Sequence, residues 1–253
     1  MLLKHIGTSF VAIAALALSS IATAAPITPS FTSFGPLAVA NFGGDGIPNT
    51  AVAITTVGGS LAQPDLVLGL TAHQRCAGPN LANNGAGVFT ANAGFSAFGA
   101  TCASAGPSTT LANWNFGSFI SGAGASDLVF RLFYDFDPAA GNDQSTHGSA
   151  NFPGTALGVT VAPQGSNNLG FAFLGVTNPS MGIFAPSGSF DPTVNGQYSF
   201  ALVASTVNGQ EVARSAIVVN VTGGRNDVPT PGTLALTSLA LLGLAYISRR
   251  NRR

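Results

Sequence analysis

Asp127-Leu128-Val129-Phe130-Arg131-Leu132-Phe133-Tyr134-Asp135-Phe136 alternates between apolar and polar positions. A period of two places Leu128, Phe130, Leu132, Tyr134 and Phe136 on one face of a strand and Asp127, Arg131 and Asp135 on the other. A helix would need its apolar residues three and four apart, so this stretch predicts a strand with one face in a core. Working outward, residues 51–57, 65–71, 113–120, 155–162, 169–176, 197–207 and 211–221 are rich in β-branched and aromatic residues, and Gly, Pro, Asn and Asp clusters bound them. Asn208-Gly209 lies between the last two and predicts a two-residue type I′ hairpin turn. Tyr198, Phe200 and Leu202 then point inward from one arm, and Ile217, Val219 and Val221 from the other. No stretch between the termini shows capped 3.6-residue periodicity, and there is no internal repeat. The expected fold is all-β: an Ig-like or jelly-roll-like β-sandwich over residues 25–227.

The charges are segregated. Lys4 is the only lysine, and Arg249, Arg250, Arg252 and Arg253 crowd the last five positions. Between them Arg75, Arg131, Arg214 and Arg225 face all nine acidic residues, a net charge of about −5. Such a body has no electrostatic footprint for nucleic acid or anionic lipid. Charged residues are only 7% of the chain, against roughly 25% in an ordinary domain. Polarity comes instead from Ser, Thr, Asn and Gln, a composition suited to surface and matrix proteins. The 18 Phe supply core material and exclude a disordered composition.

Residues 1–24 have the three parts of a secretion signal. Lys4 is the positive region, Phe10 to Leu18 is the apolar run, and Ala22-Thr23-Ala24 is the small-residue cleavage site. The apolar run is too short for a span, which needs about 20 residues. Cleavage after Ala24 leaves Ala25 first, because cleavage after Ala25 would set Pro26 at the scissile bond. Signal peptidase and the Sec machinery are the expected first partners. In an exported chain the two cysteines, Cys76 and Cys102, are expected to pair, closing a loop of about 27 residues worth roughly 3–4 kcal/mol in the chain-entropy model.

The other end reads Val228-Pro229-Thr230-Pro231-Gly232-Thr233, then an apolar run from Leu234 to Ile247, then the arginine cluster. As a helix the run reaches roughly 25 Å, a marginal span whose arginines stay on the cytoplasmic side. The motif, the short apolar helix and the terminal arginines together resemble a PEP-CTERM sorting signal over residues 228–253. That resemblance implies a Gram-negative host with an exosortase-type membrane protease that removes the tail, and an association with exopolysaccharide and biofilm matrix. Thr230 stands where the family usually has Glu.

Candidate chemistry between the ends is sparse. Asp135, Asp137, Asn142 and Asp143 could gather oxygen ligands for Ca²⁺ at a strand end, although the EF-hand pattern fails at Ala139, Ala140 and Thr146. Trp114 is the candidate for stacking on a sugar. His73 and His147 are the only histidines in the body and lack metal-site spacing. There is no G-x-S-x-G, since Gly94-Phe95-Ser96-Ala97-Phe98 lacks the last glycine. A Ser–His–Asp set would have to assemble from distant loops, and paired carboxylates are not evident with Glu211 the sole Glu. The chain is expected to be an exported structural or adhesive matrix protein, not an enzyme, without a cofactor. The alternative is a secreted carbohydrate- or calcium-binding module.

Overall fold

A computed structural model describes residues 25–58, 65–76, 78–99, 101–103, 106–122, 128–153 and 163–225. The expected signal helix (1–24), the strand at 155–162, and the sorting motif with its hydrophobic helix (228–253) lie outside them. Among the described residues no helix is long and apolar enough to cross a membrane.

Twelve strands are described: β1 Ser33–Gly35, β2 Val52–Val57, β3 Leu66–Gln74, β4 Ala82–Asn83, β5 Val88–Asn92, β6 Trp114–Ser121, β7 Leu128–Tyr134, β8 Gly148–Pro153, β9 Gln164–Asn167, β10 Ile183–Phe184, β11 Gly196–Thr206 and β12 Glu211–Thr222. They form two sheets, ordered β1-β2-β3-β6-β9 and β10-β8-β7-β11-β12-β5-β4. All pairings are antiparallel except β12 with β5. One core joins the sheets. Leu68, Leu70, Trp114 and Phe116 come from the first, and Phe130, Leu132, Phe200, Ile217 and Val219 from the second. Phe116 stacks on Phe200 at 4.5 Å between centroids. Side chains also tie the sheets at β2 and β12: Thr55 Oγ1 donates to Arg214 O, and Ser215 Oγ to Ala53 O.

The outer faces are covered too, which alternation alone does not foresee. On the first sheet Val52, Ile54, Val67 and Phe119 bury under Leu37, Ala40, Phe42 and Ile47 of the segment before β2. Gly69 and Gly117 make room for it, since a Cβ on Gly117 would lie 2.9 Å from both Phe42 Cδ1 and Thr71 Cγ2. Phe42 holds a positive φ of 47°. Gln164 Oε1, on edge strand β9, accepts from the Asn41 and Phe42 amides and clamps that turn. On the second sheet Ile27 covers Ala201, Val203 and Ala216. Ser30 exchanges two hydrogen bonds with Ala216, ahead of the stretch of β12 that pairs with β5.

Three expectations are corrected. Residues 169–176 are not a strand: Ala172–Gly175 is a 3₁₀ turn. Phe171 N donates to Asn168 O and Leu174 N to Phe171 O, while Gly170 packs against the Thr110 carbonyl, leaving no room for an extended side chain. The β11–β12 turn is not type I′. Gly209 N donates to Thr206 O and Thr206 N to Gln210 O, and only Gly209 has positive φ, at 83°. That is a three-residue loop with glycine in the left-handed position. Asp135 does not face solvent, because the strand ends at Tyr134 and the turn that follows folds over the carboxylate.

Candidate functional site

Cys76 and Cys102 form a disulfide with an S–S distance of 2.03 Å. The closed loop contains the β4–β5 ribbon, and Cys102 lies in the β5–β6 connection, so the bridge ties the end of β3 to the chain leaving the opposite sheet.

The residues considered for calcium are brought together, but with the wrong polarity. Asn142 Nδ2 donates to Asp135 Oδ2 at 2.9 Å and to Asp137 O at 2.8 Å. Asp135 Oδ1 accepts from Asp137 N, Asp137 Oδ1 from Ala139 N, and Asp143 Oδ1 from Ser145 N. A cation needs converging oxygens, whereas here an amide donor occupies the centre and the carboxylates close turns. Among the described residues no group of three or more His, Cys, Asp or Glu could hold a metal ion. The set does not fit calcium. Asp135 is buried beside His147, whose Nε2 lies 3.6 Å from Asp135 Oδ2. Burial pushes the Asp135 carboxyl up, and hydrogen bonds from Asn142 and Asp137 oppose that shift.

Trp114 is also misplaced as a sugar platform. It is 2% exposed and wedged edge-on against Phe190 and Phe200. Alternation along β6 turns it into the core, and a buried ring has no free face for a ligand. Phe190 is the wall that hides it. On the other side of that wall is a cleft of about 690 Å³ lined by Phe95, Leu111, Phe136, Phe171 and Phe190, with Ser108, Thr109, Ser189 and Asp191 at its rim. Phe95 is 46% exposed. Phe171 carries the stacked, exposed Phe173 at 5.7 Å and has the Arg75 guanidinium over its ring at 5.5 Å. Hydrogen bonds from Thr193 hold the Asp191 carboxyl below its ordinary range, and Arg225 Nη2 pairs with it at 2.7 Å. Phe95 lies at an isolated bridge and Phe173 in a 3₁₀ turn, where no periodicity marks which rings reach solvent.

A second cavity of about 610 Å³, with a mixed polar and apolar lining, lies over the outer face of the first sheet. Its lining includes Asp45, Ile47, His73, Arg75, Asn115 and Ser166 beside the disulfide. His73 Nε2 is 3.0 Å from Ser166 Oγ, and Asn115 Nδ2 donates to the same oxygen at 2.8 Å. The fully buried Asn168 fixes the Asn115 amide, since its Nδ2 donates to Asn115 Oδ1 at 2.7 Å. Burial pushes the His73 imidazole down. His147 also meets a serine, Ser199 Oγ at 2.7 Å, but its side chain is wholly enclosed. There Asp135 stands on the Nε2 side while Nδ1 faces the Asp143 carbonyl, so the carboxylate sits on the wrong nitrogen for a triad.

Fold and sites define a disulfide-bonded protein of two packed β-sheets that carries an aromatic cleft and a histidine-lined cavity. No protein-family model matches this chain, and the search of curated proteins returned no match.

Proposed function

We propose that this chain is an exported cell-surface or extracellular-matrix protein, structural or adhesive in an exopolysaccharide or biofilm, and sorted through its C-terminal segment. The observation that carries the reading is the Cys76–Cys102 disulfide, a bond that persists in oxidising compartments. Ala25, first after the expected cleavage, already accepts a hydrogen bond from Gln144 N, and Ile27 packs on the second sheet. Cleavage after Ala24 therefore leaves these contacts of Ala25 and Ile27 on the mature chain. In this reading the sandwich is Ig-like or jelly-roll-like in architecture only. Signal peptidase, the Sec machinery and an exosortase-type protease are the processing partners.

Fractionation and intact mass of surface protein from a Gram-negative host with an exosortase test this directly. The expected mature chain begins at Ala25 and lacks roughly the last 25 residues, with the Val228-Pro229-Thr230-Pro231 motif as the recognised segment. Met1 retained on surface protein would refute export by a cleaved signal. An intact tail through Arg253 would make the segment a plain anchor, with Thr230 the reason.

Carbohydrate binding is the second reading, favoured by the aromatic cleft and not by Trp114. The exposed Phe95 ring beside hydroxyl-bearing lining residues matches the apolar face and hydroxyls of a sugar. In affinity electrophoresis through the host exopolysaccharide, Phe95→Ala should weaken retardation roughly tenfold, or about 1.4 kcal/mol. Unchanged retardation would remove the cleft from consideration.

A further inference from the structure

We propose that Ser166 is an acylable nucleophile, activated by His73, in a cavity that hydrolyses small carboxylic esters. Three strands build the arrangement from residues that are far apart in sequence. His73 stands on β3, Asn115 opposite it on β6, and Ser166 on β9, all facing the outer side of the first sheet. His73 Nδ1 lies 2.9 Å from the Gln74 carbonyl, which can only accept. Nδ1 therefore carries the hydrogen, and the Nε2 lone pair accepts from the Ser166 hydroxyl at 3.0 Å. That is the tautomer a general base needs. A backbone carbonyl takes the orienting place that a carboxylate holds in a triad.

Asn115 supplies the second element. Its Nδ2 reaches Ser166 Oγ at 2.8 Å, beside the position where a carbonyl oxygen attached to Oγ would gather charge. The amide cannot turn over, because Asn168 donates to its Oδ1. Asn168 is itself pinned by Ala112 N, Ala112 O and Trp114 O. Ser166 lines the cavity and is partly exposed, unlike the enclosed serine at His147. Phe42, Ile47 and Pro48 give the same cavity an apolar side for a short acyl chain.

The reaction balances without a cofactor. Ser166 Oγ bonds to the ester carbonyl carbon as its proton passes to His73 Nε2. The carbon–oxygen bond to the alcohol breaks, and the alcohol leaves with that proton. Water then repeats the sequence on the acyl-serine, releasing the acid and restoring Ser166. Burial keeps the His73 imidazole neutral and ready to accept at neutral pH.

Ester hydrolysis at Ser166 is independent of any matrix role, and its test does not use a glycan. The mature, oxidised chain is treated with a fluorophosphonate probe and the adduct mapped by mass spectrometry. Turnover of p-nitrophenyl acetate is followed separately. The expected adduct is on Ser166, formed at a rate that rises through one ionisation below the ordinary histidine range. His73→Gln should slow labelling at least about 100-fold, Asn115→Ala should cut turnover by a similar factor, and Ser166→Ala should abolish both signals. Absence of an adduct on Ser166, equal labelling of His73→Gln, or turnover surviving in Ser166→Ala would overturn the proposal and leave the trio as a stitch holding β9 to the sheet. Melting midpoints accompany each variant. Should His73→Gln not fold, the pH profile of the natural chain and the Ser166→Ala variant decide.

Discussion

At the scale of the residue, buried hydroxyl, amide and imidazole groups meet specific partners, as Thr71, Asn168 and Tyr134 do. Tyr134 Oη donates to the Leu174 carbonyl, and burial pushes its phenol up to about 12. His73 has the clearest consequence for stability. Its folded-state pKa lies below the ordinary 6.5, so the unfolded chain takes up the proton more readily than the folded one. The stability this group contributes is complete above about pH 6.5 and is lost as pH falls through 6.5 toward the folded value. Asp135 acts in the opposite sense, because burial raises its folded pKa above the ordinary 3.8 and falling pH relieves the cost of a buried charge. Comparing urea midpoints with a His73→Gln variant isolates the histidine. The gap between the two proteins should narrow from pH 7 to pH 5, and a constant gap would show that His73 titrates alike in both states.

At the scale of the element, the strands at 51–57, 65–71, 113–120, 127–136, 197–207 and 211–221 are legible because alternation reports burial of one face. They appear as β2, β3, β6, β7, β11 and β12 with small shifts at their ends. The 169–176 segment misleads because Leu169, Phe171 and Phe173 alternate like a strand while Asn168 and Gly170 bend the chain. The β11–β12 turn shows the same limit: Asn-Gly marks a hairpin, but the loop takes three residues with only Gly209 in the left-handed region. Glycine inside a strand has a different meaning in β6. A side chain at Gly117 would strike Phe42 and Thr71, so Gly117→Val should lift the covering segment off the sheet. The expected loss is about 2–3 kcal/mol of unfolding free energy, as for other overpacked sites. A denaturant midpoint within error of the natural chain would show that the segment is free to move aside.

At the scale of the whole molecule, long-range ties replace the electrostatic ones. The ion pairs Arg214–Glu211 and Arg225–Asp191 are partly or largely solvent-exposed. Pairs of that kind contribute little. The Cys76–Cys102 bridge carries more, since closing a loop of about 27 residues restrains the unfolded chain by roughly 3–4 kcal/mol. Replacing both cysteines with serine should lower the unfolding free energy by about that amount and move the melting midpoint down in the oxidised protein. Equal midpoints for the natural and the double variant would mean that the β4–β5 ribbon is held by its pairing with β12 alone.

Sequence alone determined the all-β class, the inward faces of β7, β11 and β12, and the cysteine pair, because period, turn chemistry and an even cysteine count are local properties. It also singled out both histidines without assigning them partners. Tertiary structure alone decided that Trp114 lies behind Phe190, that Asn142 turns a donor toward Asp135, and that His73, Asn115 and Ser166 meet. Those outcomes depend on which strands are neighbours and which segments cover a face. Ser166 sits 93 residues from His73, and only the β3-β6-β9 order brings them within a hydrogen bond.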